Sequence, residues 1–202
     1  MKRLLFIICI ALAAVSCSTL GKHVSKSPAQ KYCEASNRNT VRAWGFFKGY
    51  SMMDLESEAA NVAREKLAAE FSSFVHVVTN KVLNNAGKGI NNEEELEAYL
   101  TLTTKSEIEI PKTELQFTHV VMTDRYIENG NVQVCYAAVE MSYDTAIMLM
   151  KTSEKIKKQM DKLGIDMNSI AFVNATDATK DIYSDPKKFD EEKKKKLDIR
   201  SL

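Results

Sequence analysis

The stretch RYIENGNVQVCYAAVEM, residues 125–141, sets Asn129-Gly130 between two runs that alternate along their length. Asn-Gly suits a type I′ turn, whose twist matches that of the strands it joins, so these residues are committed to an antiparallel hairpin. With Asn129-Gly130 as the two-residue loop, Val120 opposes Val139, Met122 opposes Ala137 and Asp124 opposes Cys135 on one face. The other face carries Val121 with Ala138, Thr123 with Tyr136 and His119 with Glu140. A slip of one residue would scramble these pairs, because side chains alternate with a period of two.

A further strand is expected in NTVRAWGFFKGY, residues 39–50, rich in aromatic and β-favouring residues. Its odd positions, Val41, Ala43, Gly45, Phe47 and Gly49, are small or apolar, whereas Arg42, Trp44, Phe46, Lys48 and Tyr50 are bulky. The small face lets another element approach closely, most simply a helix. Asp54 caps such a helix, in which Ala60, Ala63, Leu67, Phe71, Phe74, Val78 and Val82 recur at three- and four-residue spacing. Glu58, Asn61, Glu65, Ala69, Ser72, His76 and Asn80 lie opposite, which places His76 in solvent. The glycines and asparagines of NNAGKGINN, residues 84–92, end it.

Residues 93–100 read as helical and residues 101–110 as extended up to Pro111. From Tyr143 a second helical stripe runs through Ala146, Leu149, Met150, Ser153, Ile156, Met160 and Leu163 to Gly164. IDMNSIAFVNA, residues 165–175, reads as a short extended piece, and the mixed charges from Lys180 onward as a solvated helix or a disordered end. The expected fold is α+β: an antiparallel sheet packed by a long amphipathic helix, with a further C-terminal helix, over residues 39–173, followed by a charged tail over 174–202.

The N-terminus supplies an address. Met1-Lys2-Arg3 precedes the apolar run LLFIICIALAAV and then Ser16-Cys17, the tripartite pattern of a secretory signal. The run is too short for a comfortable membrane span, which needs ~20 apolar residues. Ala14-Val15-Ser16-Cys17 resembles the lipobox of bacterial lipoproteins. That resemblance implies removal of residues 1–16, a diacylglycerol on the Cys17 thiol and a fatty acyl group on its new amine. Two or more acyl chains hold a protein firmly to a bilayer, where one does so only marginally. Ser18 in place of aspartate resembles an outer-membrane sorting signal. STLGKHVSK carries no acidic cluster of the kind that directs some lipoproteins to the cell surface, so a periplasm-facing position is expected, with surface exposure left open. Residues 17–38 then read as the lipidated cysteine and a polar tether; the fifteen or so residues of 18–33, fully extended, reach at most ~50 Å.

Removing residues 1–16 takes away Lys2 and Arg3 and leaves 26 basic against 27 acidic side chains, a net charge of −1. Nothing in that balance supplies the basic stripe of a nucleic-acid binder. Cys9 leaves with the signal and Cys17 carries lipid, so Cys33 and Cys135 remain: one connectivity for a disulfide, or two separately buried thiols. The three histidines lie far apart, and no zinc, phosphate-loop, dinucleotide or nucleophile-elbow motif occurs, so no cofactor beyond the lipid is expected.

One polar constellation follows from the hairpin register. His119 opposite Glu140 could serve as a base and its orienter, or form an ordinary cross-strand ion pair on a wet face. With Tyr136, these residues form the candidate ligand face. The expected role is a non-catalytic lipoprotein, structural or partner-binding, held to the membrane by its lipid beside an envelope protein partner. The alternatives are a small-ligand-binding module on the His119, Tyr136 and Glu140 face and, behind it, a cryptic hydrolase.

Taken in order, the tether, the strand with Trp44-Gly45, the alanine-rich helix opening DLESEAANVAREKLA and the hairpin ending YAAVEMSYDTA resemble two related groups. These are the small bacterial lipoproteins of the LPP type and the N-terminal domain of flagellar assembly protein T. The matching positions are Trp44, Gly45, Leu55, Ala59, Ala63, Leu67, Ala68 and Tyr136, and the resemblance covers roughly residues 40–150. It implies an α+β domain and an envelope lipoprotein or assembly component, and carries over no catalytic residues.

Overall fold

The computed structural model describes residues 26–35, 39–50, 53–103, 117–129, 131–185, 187–188 and 191–192. In chain order these form α1 (Pro28–Glu34), β1 (Thr40–Tyr50), α2 (Leu55–Asn85), α3 (Glu93–Thr103), β2 (His119–Asn129), β3 (Val132–Ser142), α4 (Tyr143–Thr152), α5 (Glu154–Lys162) and α6 (Ile170–Ser184). The strands make one antiparallel sheet in the order β1-β3-β2, with β3 in the centre. The fold is α+β, and the long helix α2 crosses one face of the sheet.

The small face of β1 is what admits α2. A Cβ added at Gly45 would stand 2.4 Å from the backbone nitrogen of Ala63 and 2.8 Å from the carbonyl oxygen of Ala59. Backbone thus meets backbone, and the buried Ala59, Ala60 and Ala63 complete the contact. Asp54 caps α2 by accepting from Ser57 N at 3.2 Å, as its sequence position implies. Gly87, in the left-handed region at φ 59°, closes the other end, with Lys88 N donating to Leu83 O.

The polar face expected along α2 holds for its first half, where Glu58, Asn61 and Glu65 are exposed, and fails for its second. Every residue from 71 to 79 is buried, including Ser72 and His76, the latter only 8% exposed. The reason lies downstream. Helices α3 and α6 pack on α2, α5 packs on α3, and one core cluster joins Phe71, Phe74 and Val78 to Leu102, Leu149, Met160, Phe172 and Tyr183. Thr79 satisfies its hydroxyl within the helix, by a 2.8 Å bond to Val75 O.

Residues 165–175 are not an extended piece. Ser169 caps α6 by accepting from Phe172 N at 3.2 Å, and the helix continues through Ser184, across the boundary expected for the tail. Its buried side is Phe172, Ala175, Thr176, Thr179 and Tyr183. Two of these five are threonines, which hide the stripe from a hydrophobicity reading. Thr179 turns its hydroxyl back to Ala175 O at 2.7 Å and so enters the core without an unmet bond. The helical stripe from Tyr143 is present but bent: Ser153 ends α4 by donating to Leu149 O at 2.9 Å and starts α5 as its cap. Residues 101–103 continue α3 rather than beginning a strand, and the remainder of that expected strand lies outside the described residues.

Candidate functional site

The face of the sheet away from α2 is where the candidate residues fall. β1 and β3 pair without interruption, so Arg42, Trp44, Phe46 and Lys48 stand opposite Glu140, Ala138, Tyr136 and Val134. On the other side β2 begins as expected, with His119 opposite Glu140 and Val120 opposite Val139. The register then shifts between Val120 and Met122. Met122 opposes Ala138 rather than Ala137, Thr123 opposes Ala137 rather than Tyr136, and Asp124 opposes Tyr136 rather than Cys135. A second shift follows Ile127, and Asn129 stays in the ladder opposite Val132. Both irregularities lie in an edge strand, where an extra residue costs bonds to only one neighbour.

One end of this face is covered by α1, although residues 17–38 read as tether. Ser27 caps α1 in a reciprocal box with Gln30, and Pro28 occupies its first turn, where no N–H is missed. Ala29 and Cys33 are buried against Ala138, with Tyr32, Trp44, Met122 and Tyr136 around them. The carboxylate of Asp124 accepts from Ala29 N at 3.0 Å, placing negative charge at the positive end of the helix. At the other end Arg42 donates to Tyr32 O at 3.2 Å and its guanidinium lies 4.2 Å from the Tyr32 ring centre.

This packing decides what Glu140 does. Its carboxylate accepts from Tyr32 Oη at 2.7 Å and Thr40 Oγ1 at 2.9 Å, with Arg42 Nε at 3.5 Å. Burial, and then the bond to Glu140, hold the Tyr32 phenol above its usual range. His119 is exposed at the start of β2. The cross-strand pairing is therefore real at the backbone, but the carboxylate is spent on α1 and β1. Tyr136 lies on the same face of β3, separated from Glu140 by the covered Ala138. His119, Tyr136 and Glu140 thus share one face of the sheet, with Glu140 bonded to Tyr32 and Thr40.

The cysteines are separated by the sheet itself. Cys33 packs with Ala138 on the α1 side, whereas Cys135 packs with Leu55, Ala59, Ala60 and Ala137 under α2. Both thiols are buried and they are not joined to each other, so the disulfide expected as one option gives way to the other option. Burial raises the Cys135 thiol above its ordinary value, reinforced by Glu56 and opposed by Arg125. A thiol so placed is inert packing rather than a nucleophile.

Beyond the N-terminal end of α1 the face is open, and it is aromatic. Trp44 stacks on Phe46 at 6.4 Å, and the Tyr136 ring lies 5.7 Å from Phe46 and 5.9 Å from Tyr126. Lys66 reaches round from α2 to place its ammonium 4.3 Å from the Trp44 ring centre. Phe46 is 42% exposed and Tyr126 36%. The bulky even positions of β1 announced half of this cluster; Tyr126 joins it only because of the register shift.

Among the described residues no group of histidine, cysteine, aspartate or glutamate could hold a metal ion, and no helix is long and apolar enough to cross a membrane. Cys17 and the lipobox lie outside the described residues. No family model, no curated protein and no solved structure matches this chain.

Proposed function

We propose that this chain is an outer-membrane lipoprotein, anchored through acyl groups on Cys17 and facing the periplasm, whose α+β domain has a structural or partner-binding role without catalysis. The observation that carries the reading is the quartet Ala14-Val15-Ser16-Cys17 directly after a basic start and a short apolar run. Two features of the domain support it. The polar residues that looked most like chemistry are occupied in holding α1, with Glu140 already accepting from Tyr32 and Thr40. The surface left open is apolar and aromatic, the character of a contact face rather than of a reacting site.

Detergent phase partitioning of the full-length protein expressed in a bacterial host tests the anchor. The processed wild type should enter the detergent phase, and the Cys17→Ser variant should remain unprocessed at that site. A processed wild type that stays in the aqueous phase would overturn the reading. Crosslinking and pull-down from the native envelope, with Cys17→Ser as control, then asks for the partner.

A further inference from the structure

We propose that the open aromatic half of the second sheet face, built from Trp44, Phe46, Tyr126 and Tyr136, rests on the lipid surface beside the anchor; this deepens, and depends on, the lipoprotein reading above. The four rings form one continuous group, with neighbouring centres 5.7–6.4 Å apart; Phe46 and Tyr126 are exposed, and Trp44 and Tyr136 are half-buried where the group meets α1. Tryptophan and tyrosine pair an apolar ring with a polar tip, which suits them to the headgroup zone of a bilayer. Lys66, over the Trp44 ring, flanks the rings with a long stem whose ammonium group can stay among headgroups while the stem lies on lipid, and one row further along β1 the Lys48–Glu128 ion pair marks the polar edge of the patch.

The place of the chain's start selects the lipid as occupant. The N-terminal end of α1 is fixed beside Asp124, which stands opposite Tyr136, while its C-terminal end lies by Arg42 at the covered end. The described chain therefore begins, at Lys26, beside the N-terminal end of α1, on the aromatic side, with the Lys26 ammonium reaching back to Glu34. Eight residues lie between Cys17 and Lys26, the first residue described, a reach of at most ~30 Å. An anchor on so short a leash keeps the bilayer at high local concentration around this surface, so that even a weak affinity for the headgroup zone is realised.

Trp44 is the only tryptophan of the chain, so its fluorescence reports this surface alone. The experiment reconstitutes the lipidated protein into phosphatidylethanolamine–phosphatidylglycerol vesicles, with and without brominated acyl chains, and isolates the vesicles by flotation. Trp44 emission should fall roughly twofold in brominated vesicles, more with bromine near the headgroups than near the terminal methyl. The double variant Phe46→Ser, Tyr126→Ser changes two exposed side chains; with its circular dichroism unchanged it should still float and lose most of the quenching. Floating protein whose emission is the same in both vesicle types overturns the docking and leaves the anchor standing, as does quenching that the double variant does not reduce. Protein that fails to float overturns the anchor and the docking with it. Shielding of Trp44 from acrylamide that requires added envelope protein, and is absent with lipid alone, identifies a protein occupant and overturns the lipid one.

Discussion

The two faces of the sheet are closed by different means. Under α2 the contact at the centre is backbone on backbone, made possible by Gly45 and the alanines opposite it, and the polar bonds from α2, Glu56 with Arg125 and Arg64 with Thr118, are made by helix side chains that reach the surface. On the other face a seven-residue helix is held by named polar bonds from Asp124, Glu140 and Arg42, and half of the surface is left open. Close packing of small residues makes a seal that tolerates no added atom, whereas polar attachment makes one that can be detached piece by piece. The first is the core contact of the domain, and the second is a cover held by polar bonds around buried Ala29 and Cys33, next to exposed aromatic rings.

That contrast can be broken most severely at Gly45. Replacing it with valine puts a Cβ against the Ala63 nitrogen at 2.4 Å, and only a shift of α2 relieves it. The expected loss is at least ~3 kcal/mol, or no folded protein, by thermal or urea melting, while Phe46→Ala on the open face should cost under ~1 kcal/mol. Alkaline pH should separate the two sides next. Burial, with Glu70 next in effect, holds the Tyr183 phenol well above its ordinary value in the core around α2. A phenol that keeps its proton more tightly when folded contributes fully below the unfolded value of about 10 and progressively less as the pH climbs toward the folded one. Stability should therefore decline above about pH 10, and Tyr183→Phe should flatten that decline more than Tyr32→Phe does.

Ala138→Leu, placed beneath Ala29 and Cys33, should cost ~1–3 kcal/mol and expose α1 to proteases while the sheet persists, visible as early cleavage at Lys31. Glu140→Gln removes the charge from the bonds to Tyr32 and Thr40, with an expected cost of ~1–2 kcal/mol in chemical denaturation. At the small end, His119→Ala should stay within ~0.5 kcal/mol, and a reductant should leave the melting temperature unchanged because Cys33 and Cys135 are not joined. A reductant-sensitive melt would contradict the placement of the two thiols on opposite faces.

What could be read from the sequence was whatever depended on spacing. The small positions of β1, the stripe of α2, the Asp54 cap and the hairpin all follow local periodicity, and the α+β class follows from them. What escaped depended on partners remote in the chain. His76 lies on a locally polar face, and only the later helices bury it. Pro28–Glu34 are too few and too polar to announce a helix, and they form one because Asp124 and Glu140, about a hundred residues away, receive its groups. The threonines of α6 hid a buried side because their hydroxyls are satisfied within the helix. The candidate pair His119 and Glu140 was legible as a pairing, but the claim of Tyr32 on the same carboxylate was not.

The extra residue at Val121 has a consequence for how the gene can change. Because Val120 and Met122 already oppose the adjacent residues Val139 and Ala138, losing the Val121 codon would leave the cross-strand partners of β2 as they are. The same one-codon loss in the middle of β3, bonded on both sides, would turn every residue beyond it to the opposite face. A one-residue loss in this hairpin should therefore be tolerated in its outer arm and not in its central strand.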